Sequence, residues 1–206
     1  MNPWLKLRSD INNAIGEVAS IEGDIIEIFV YPEKFHRIKV GEIVYIYSKE
    51  VEPLGVVLKL MHSSRYGAFT PMKQDREEIL KAYPDLQNYH RFVSSVVYTS
   101  HLVRDAVKHY RSSMPLLHDL VFVLDSFDLL EKFFKPDGRW DFSFLTYFIR
   151  AGADVIDIKE FLMRHLDFLK HFENEKDEII TGLTRVLSMF DFNDFYVIFE
   201  FMEEIL

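Results

Sequence analysis

The chain has 206 residues, of which 49% are hydrophobic and 28% charged, a composition that supports a folded core and argues against intrinsic disorder. It contains no cysteine, which excludes disulfide bonds, thiolate zinc sites and cysteine nucleophiles. No apolar run approaches the roughly 18 residues of a membrane-spanning helix, and the first ten residues lack the apolar core of a secretion signal. We therefore expect a cytoplasmic protein with no membrane contact.

The net charge of −9 is divided unevenly along the chain. Residues 1–111 carry 15 Lys and Arg against 14 Asp and Glu, whereas residues 112–206 carry 9 against 19 and hold 15 of the 19 phenylalanines. This change predicts two domains, a β domain over 1–111 and an acidic, Phe-rich helical domain over 112–206. Because the second half repels a phosphate backbone, any contact with nucleic acid is expected in the first half.

The first half predicts short β-strands. Apolar-rich runs separated by turn residues cover Ile15–Ile21, Asp24–Tyr31, Ile43–Tyr47 and Leu54–Met61. Their spacing is typical of a small β-barrel rather than of βαβ units. Phe92–Thr99 is expected to return and close the barrel, and Lys73–Ala82 to form an inserted helix that ends before Pro84. The segment His101–Tyr110 fits either a helix or a strand.

The second half predicts helices, because its apolar residues recur at helical spacing. The expected helices cover 127–134 after an N-cap at Ser126, Asp141–Arg150 before Gly152, 155–172 after an N-cap at Asp154, a stripe from Ile179 to Phe190, and a last helix that begins at Asn193 or Asp194. The predicted fold class is therefore α+β, a small N-terminal β-barrel followed by an α-helical C-terminal domain.

Motifs that carry catalysis on nucleotides or metals do not occur in the sequence. There is no phosphate-binding loop GxxxxGK[ST], no GxGxxG, no GxSxG, no HExxH and no EF-hand loop. The histidine pairs His101/His109 and His165/His171 lack nearby thiolates, and we interpret them as partly exposed polar residues rather than metal ligands. We expect a protein that is not an enzyme and that has no cofactor and no metal.

Tyrosines and basic side chains occur together in the predicted barrel. Tyr45, Tyr47, Lys49 and Arg65 are the best candidates for a face that stacks on bases and binds phosphates, as small nucleic-acid-binding barrels do. The first half carries a net charge of only +1, and half-buried strand tyrosines with ordinary surface lysines would give the same pattern. Contact with nucleic acid is therefore an open alternative.

Several short segments within residues 12–125 follow one known pattern. They are Gly16 and Val18 in the first strand, Val40-Gly41-Glu42, Leu54-Gly55-Val56-Val57, Tyr83-Pro84-Asp85-Leu86, and Met114–Leu124 with the sequence MPLLHDLVFVL. Together they resemble the HAS-barrel, the N-terminal domain of HerA-type archaeal DNA translocases, which is related to the N-terminal barrel of rotary ATP synthases. The resemblance implies a barrel that assembles oligomers and docks partners.

The sequence departs from that family after the barrel. HerA-type translocases continue into an ATPase domain with a phosphate-binding loop, whereas this chain continues into acidic helices without one. The resemblance therefore implies docking of a protein partner, such as a NurA-type nuclease or a HerA-type translocase in archaeal DNA repair, and does not imply ATP hydrolysis.

The leading hypothesis from the sequence is a non-catalytic protein-interaction or assembly module linked to DNA-end processing, with homo-oligomerisation left open. One alternative is a nucleic-acid-binding barrel whose acidic helical domain regulates access. Another is a hydrolase that uses carboxylates near the junction of the two halves.

Overall fold

The computed structural model describes residues 2–64, 75–82, 90–190 and 195–206. They form a closed six-stranded antiparallel β-barrel followed by a helical region, so the predicted α+β class is confirmed. No helix within these ranges is long and apolar enough to cross a membrane.

Six of the seven strands in the described residues build the barrel. The strands are β1 (Gly16–Glu22), β2 (Ile25–Val30), β3 (Ile43–Tyr47), β4 (Glu52–Ser64), β5 (His90–Val103), β6 (Ala106–Lys108) and β7 (Leu120–Val123). Their order around the barrel is β2-β1-β7-β3-β4-β5, and pairing of β5 with β2 closes it. β6 extends the sheet beyond the end of β5. The four strand runs predicted from the sequence are all strands, and the segment 92–99 closes the barrel as expected.

The antiparallel order gives the barrel two ends. The first end holds the β1–β2 turn at Gly23, the β3–β4 connection (residues 48–51) and the start of β7. The second end holds the turn at Gly41 before β3 and a 3₁₀ turn at Pro32–Arg37. The surface at the first end is described below.

β-Branched side chains fill the barrel interior. They alternate along the strands and include Val18, Ile26, Ile28, Val30, Val44, Ile46, Val57, Val96, Val121 and Val123. Gly55 allows β4 and β5 to approach closely, because a Cβ there would lie 2.5 Å from the Val97 carbonyl oxygen. Register shifts in β1 and β4 add the local twist that closure of a small barrel requires.

Helices cover one outer side of the barrel, which explains why several strands are apolar on both faces. The outward-facing Tyr45, Val56 and Phe122 are fully buried in a core shared with the helical region. The N-terminal helix α1 (Pro3–Arg8) joins this core through Trp4, whose ring centre lies 5.6 Å from that of Tyr45.

The helical region follows β7. Its helices are α3 (Phe127–Phe134), α4 (Leu145–Arg150), α5 (Val155–Arg164), α6 (Leu166–Lys170), α7 (Lys176–Leu187) and α8 (Phe195–Ile205), and α2 (Arg76–Ala82) is the helix inserted between β4 and β5. Asp154 caps α5 as predicted, because its side chain accepts the backbone N–H groups of Ile156 and Asp157. Ser126 occupies the N-cap position of α3 without a side-chain cap bond. The predicted start of the last helix, at residue 193 or 194, lies outside the described residues.

Two helix predictions require correction. The helix predicted over Asp141–Arg150 is limited to α4, and the Asp141 carboxylate instead accepts the backbone N–H of Ser143 over 2.9 Å. The single helix predicted over 155–172 is broken at His165, which separates α5 from α6. His165 and His101 are each 4% exposed, so their interpretation as partly exposed polar residues is wrong. At the break, the His165 imidazole turns into the core.

The barrel ends beyond the change of composition at residue 111. β7 lies between β1 and β3, so the acidic half of the chain supplies one barrel strand. The ambiguous segment 101–110 contains the end of β5, a turn at Arg104 and Asp105 with φ of 50° and 69°, and β6. Because a barrel closes through pairing of distant strands, composition alone does not locate its last strand.

Candidate interaction surface

Residues 111–117, which we call the end-capping segment, cross the first end of the barrel between β6 and β7. At its start, Arg111 forms an ion pair with Asp24 in the β1–β2 turn. The same guanidinium lies 4.5 Å from the centre of the Tyr147 ring in α4. The segment is thereby attached to both the barrel and the helical region.

Tyr98 holds the end-capping segment from inside the barrel. Its ring belongs to the interior core, and its hydroxyl accepts the N–H of Ser112 at 2.9 Å and donates to the carbonyl of Ser113 at 3.3 Å. Burial raises the pKa of Tyr98, so the hydroxyl keeps its proton at neutral pH. Beyond the segment, the N–H of His118 donates to the carbonyl of Val18 at 2.9 Å, which fixes the chain on β1.

Three large apolar side chains of this held segment point to solvent. Met114 is 40% exposed, Leu116 58% and Leu117 57%. Pro115 between them is buried, and the N–H of Leu116 donates to the Asp119 carboxylate at 2.7 Å. We call Met114, Leu116 and Leu117 the apolar patch. Exposed apolar side chains that are close together and held in place are typical of protein-binding surfaces.

The structure describes three of the four residues predicted as nucleic-acid contacts. Tyr47 is 40% exposed, and Lys49 is exposed in the β3–β4 connection, so both lie at the first end of the barrel. The prediction is wrong for Tyr45, which is fully buried and cannot stack on a base. Arg65 lies outside the described residues.

Tyr45 instead links the barrel to the N-terminal helix. Its hydroxyl donates to Oε1 of Glu52 over 2.6 Å, and Arg8 of α1 forms an ion pair with the same carboxylate. Burial raises the pKa of Tyr45, so the phenol remains a donor. The Arg8 guanidinium also lies 5.4 Å from the centre of the Tyr47 ring.

A serine and a histidine in the core have the contact expected of a nucleophile and its base. Ser100 Oγ lies 2.8 Å from Nδ1 of His109, and burial lowers the pKa of His109 to about 4. Ser100 is fully buried, and the rings of Phe133 and Phe144 pack on the imidazole with centre distances of 5.0 and 5.2 Å. We therefore interpret the pair as a polar link inside the core rather than as a catalytic site.

Comparisons with known proteins identify no family for this chain. No family model matches the chain, and no curated protein matches it. In the part of the chain that the structure describes, no group of three or more His, Asp and Glu side chains is arranged to hold a metal ion. The HAS-barrel resemblance stays a prediction from the sequence segments that suggested it.

Sequence reasoning did not find the apolar patch. The run MPLLHDLVFVL resembles the segment that ends the barrel, and apolar residues in such a run are expected to be buried. The available signal was the polar pair His118-Asp119, which divides the run into two parts. Only the second part, LVFV, forms the barrel strand β7.

Proposed function

We propose that this protein is a non-catalytic interaction module that docks a partner protein at the first end of its barrel through Met114, Leu116 and Leu117. The observation that carries the proposal is the exposure of these side chains on a backbone held by Tyr98 and Arg111. A backbone that is already ordered loses little further entropy on binding, so more of the energy of apolar burial contributes to affinity.

The absence of catalytic motifs from the sequence supports a docking role. The chain has no phosphate-binding loop, so we expect neither ATP hydrolysis nor tight ATP binding. The Ser100–His109 pair does not indicate catalysis, because Ser100 is fully buried in the core.

The proposed partners come from the sequence resemblance. In HerA-type systems the barrel positions partners, and a chain with a similar barrel but no ATPase domain would keep that role alone. We therefore propose a NurA-type nuclease or a HerA-type translocase of the same genome as the partner, and DNA-end processing as the setting.

The experiment measures the affinity of the full chain for each of these two purified proteins by isothermal titration calorimetry. The test variant carries Leu116→Asp and Leu117→Asp, which place two charges in the apolar patch. The matched control is Ile156→Asp, because Ile156 is an apolar side chain of α5 that is 66% exposed and lies outside the patch. Thermal melting establishes that each variant is folded.

We expect one of the two proteins to bind with micromolar or tighter affinity, and the double variant to weaken binding by about 10-fold or more, equal to about 1.4 kcal/mol. The Ile156→Asp control should bind like the original chain. Equal binding by the double variant and the control would contradict the proposed docking surface. If the original chain self-associates and the double variant is monomeric, the surface serves self-assembly rather than docking of another protein.

A further inference from the structure

Four carboxylates lie around the apolar patch at the first end of the barrel. They belong to β1, to the β1–β2 turn and to the residue before β7, and they are Glu17, Glu22, Asp24 and Asp119. Asp24 forms the ion pair with Arg111 that attaches the start of the end-capping segment. Glu22 is exposed beside this turn, and the side chains of Glu17 and Asp24 are 33% and 45% exposed. A molecule that covers the patch therefore comes close to these charges.

Glu17 and Asp119 lie at the other end of the end-capping segment. Oε2 of Glu17 is 3.5 Å from Nδ1 of His118, the residue that follows the segment. The Asp119 carboxylate accepts the N–H of Leu116 at 2.7 Å, so it lies beside the backbone that carries the patch. Both acidic residues are only partly buried, so their charges act at the surface rather than within the core.

The charge around the patch is negative. Four carboxylates and the single guanidinium of Arg111 leave a net charge of −3, and Lys49 and Glu50 in the β3–β4 connection at the same end cancel each other. This sign does not follow from the composition of the half that supplies most of the barrel, because residues 1–111 have a net charge of +1. Lys34 and Lys39 lie instead at the second end of the barrel. The apolar patch and the acidic border therefore occur together at one end.

We propose that the partner of the apolar patch presents an apolar surface bordered by lysine or arginine side chains, as an amphipathic helix with a basic polar face does. The inference rests on the docking proposed above and adds the charge of the partner. Burial of Met114, Leu116 and Leu117 supplies most of the affinity. The surrounding carboxylates attract the basic border, accelerate association and disfavour acidic surfaces.

The same charges argue against other occupants of the apolar patch. A phosphate backbone or an anionic lipid surface would bring its negative charge against the four carboxylates. A second copy of this chain, docked patch to patch about a two-fold axis, would bring an identical set of carboxylates into the contact. A basic protein surface is the occupant for which both the apolar side chains and their charged border are favourable.

The experiment uses two synthetic amphipathic helical peptides of about 18 residues, which share a leucine face and differ in the polar face, lysine in one and glutamate in the other. Each is titrated into the ¹⁵N-labelled full chain at about 50 mM salt, where exposed charges are screened little. We expect the lysine peptide to give saturable chemical-shift changes at residues 111–119, with a Kd on the order of 0.1 mM, and the glutamate peptide to give none there.

Three variants separate docking at the patch from general attraction to an acidic chain. Glu22→Lys should weaken binding of the lysine peptide about 3-fold, whereas Glu204→Lys, at an exposed acid of α8, makes the same change in net charge and should weaken it less than about 1.5-fold. The double variant Leu116→Asp and Leu117→Asp makes the chain more acidic. It should nevertheless weaken binding by about 5-fold or more, because it removes apolar contacts.

The proposal is overturned if neither peptide gives saturable shifts at residues 111–119, if the glutamate peptide binds there as tightly, or if Glu22→Lys and Glu204→Lys weaken binding equally. The calorimetry with the two purified proteins tests the docking proposal separately. If neither protein binds but the lysine peptide does, the identity of the partner is wrong and the inference about its charge stands. If a protein binds through the patch and binds Glu22→Lys and Glu204→Lys equally, docking stands and the inference about charge is wrong.

Discussion

The imidazole of His165 and the carbonyl group of Gly41 join the helical region to the barrel. Nε2 of His165, at the break between α5 and α6, donates to the Gly41 oxygen over 3.0 Å, although the two residues are 124 positions apart. Gly41 has a φ of +81°, and a Cβ at this position would lie 2.8 Å from Cα of Phe161 in α5. The turn before β3 and the break in the helix therefore fit each other closely.

Replacing Gly41 by alanine should strongly destabilise the protein. The new methyl group would meet the α5 backbone, and the left-handed φ would strain the turn, so we expect a loss of about 2–4 kcal/mol in the free energy of unfolding. The control is Gly23→Ala, because Gly23 also has a positive φ, +57°, but no atom lies within 4 Å of its added Cβ. That variant should lose only about 1–2 kcal/mol. Equal losses in urea denaturation would mean that contact with α5 does not constrain Gly41.

Acid should weaken the same junction. Burial lowers the pKa of His165 to about 4 from its usual 6.5, so between these values the unfolded chain binds a proton that the folded chain does not. Stability from this group is therefore complete above about pH 6.5 and falls as the pH drops towards 4. At about pH 4.5 we expect a loss of about 2–3 kcal/mol, measured by urea denaturation at several pH values.

The matched variant for the pH dependence is His165→Gln, because a glutamine amide can still donate to the Gly41 carbonyl but does not titrate. It should lose less stability between pH 7 and 4.5 than the original chain. The remaining acid sensitivity should include His109, whose pKa burial also lowers to about 4. An unchanged pH dependence in His165→Gln would exclude His165 as a source of the effect.

The strands were predictable because turn residues and apolar runs are local signals. Ile43–Tyr47 is a strand over its whole predicted length, and Asp154 caps α5 through its own side chain. The break at His165 was not predictable, because the apolar stripe continues across it and the hydrogen bond that His165 makes there is to a carbonyl group distant in the sequence. The burial of Tyr45 is also a long-range effect, because the rings that pack on it belong to Trp4 in α1 and Phe122 in β7.

The candidate surface was less predictable than the fold. Met114, Leu116 and Leu117 have the same apolar character as core residues, and their exposure depends on Tyr98 holding the backbone from inside the barrel. Hydropathy does not distinguish an apolar side chain in the core from one that awaits a partner.

A core and a surface leucine should respond differently to truncation. Leu169 is fully buried, so Leu169→Ala should cost about 2–5 kcal/mol, the usual range for a large-to-small change in a core. Leu116 is 58% exposed, so Leu116→Ala should change stability by less than about 0.5 kcal/mol. The comparison is made by urea denaturation at neutral pH. A large loss in Leu116→Ala would indicate that the end-capping segment is needed for folding rather than free for docking.

The chain should bind DNA weakly. Affinity for a duplex comes mainly from neutralised phosphates, and this chain has a net charge of −9. In addition, Tyr45 is buried and cannot take part in the predicted contact face. We expect no binding to single- or double-stranded DNA tighter than about 10 μM near 0.15 M salt, measured by fluorescence anisotropy. Sub-micromolar binding that weakens in Lys49→Glu but not in Lys59→Glu would favour the nucleic-acid alternative.

Hydrogen exchange of the partner complex tests the central claim most directly. The full chain is compared by mass spectrometry alone and with the NurA-type nuclease or the HerA-type translocase that binds it. We predict added protection in residues 111–118, where the backbone carries Met114, Leu116 and Leu117, with little change in α7 and α8. Protection confined to α7 and α8, with residues 111–118 exchanging as in the free chain, would contradict docking at the first end of the barrel.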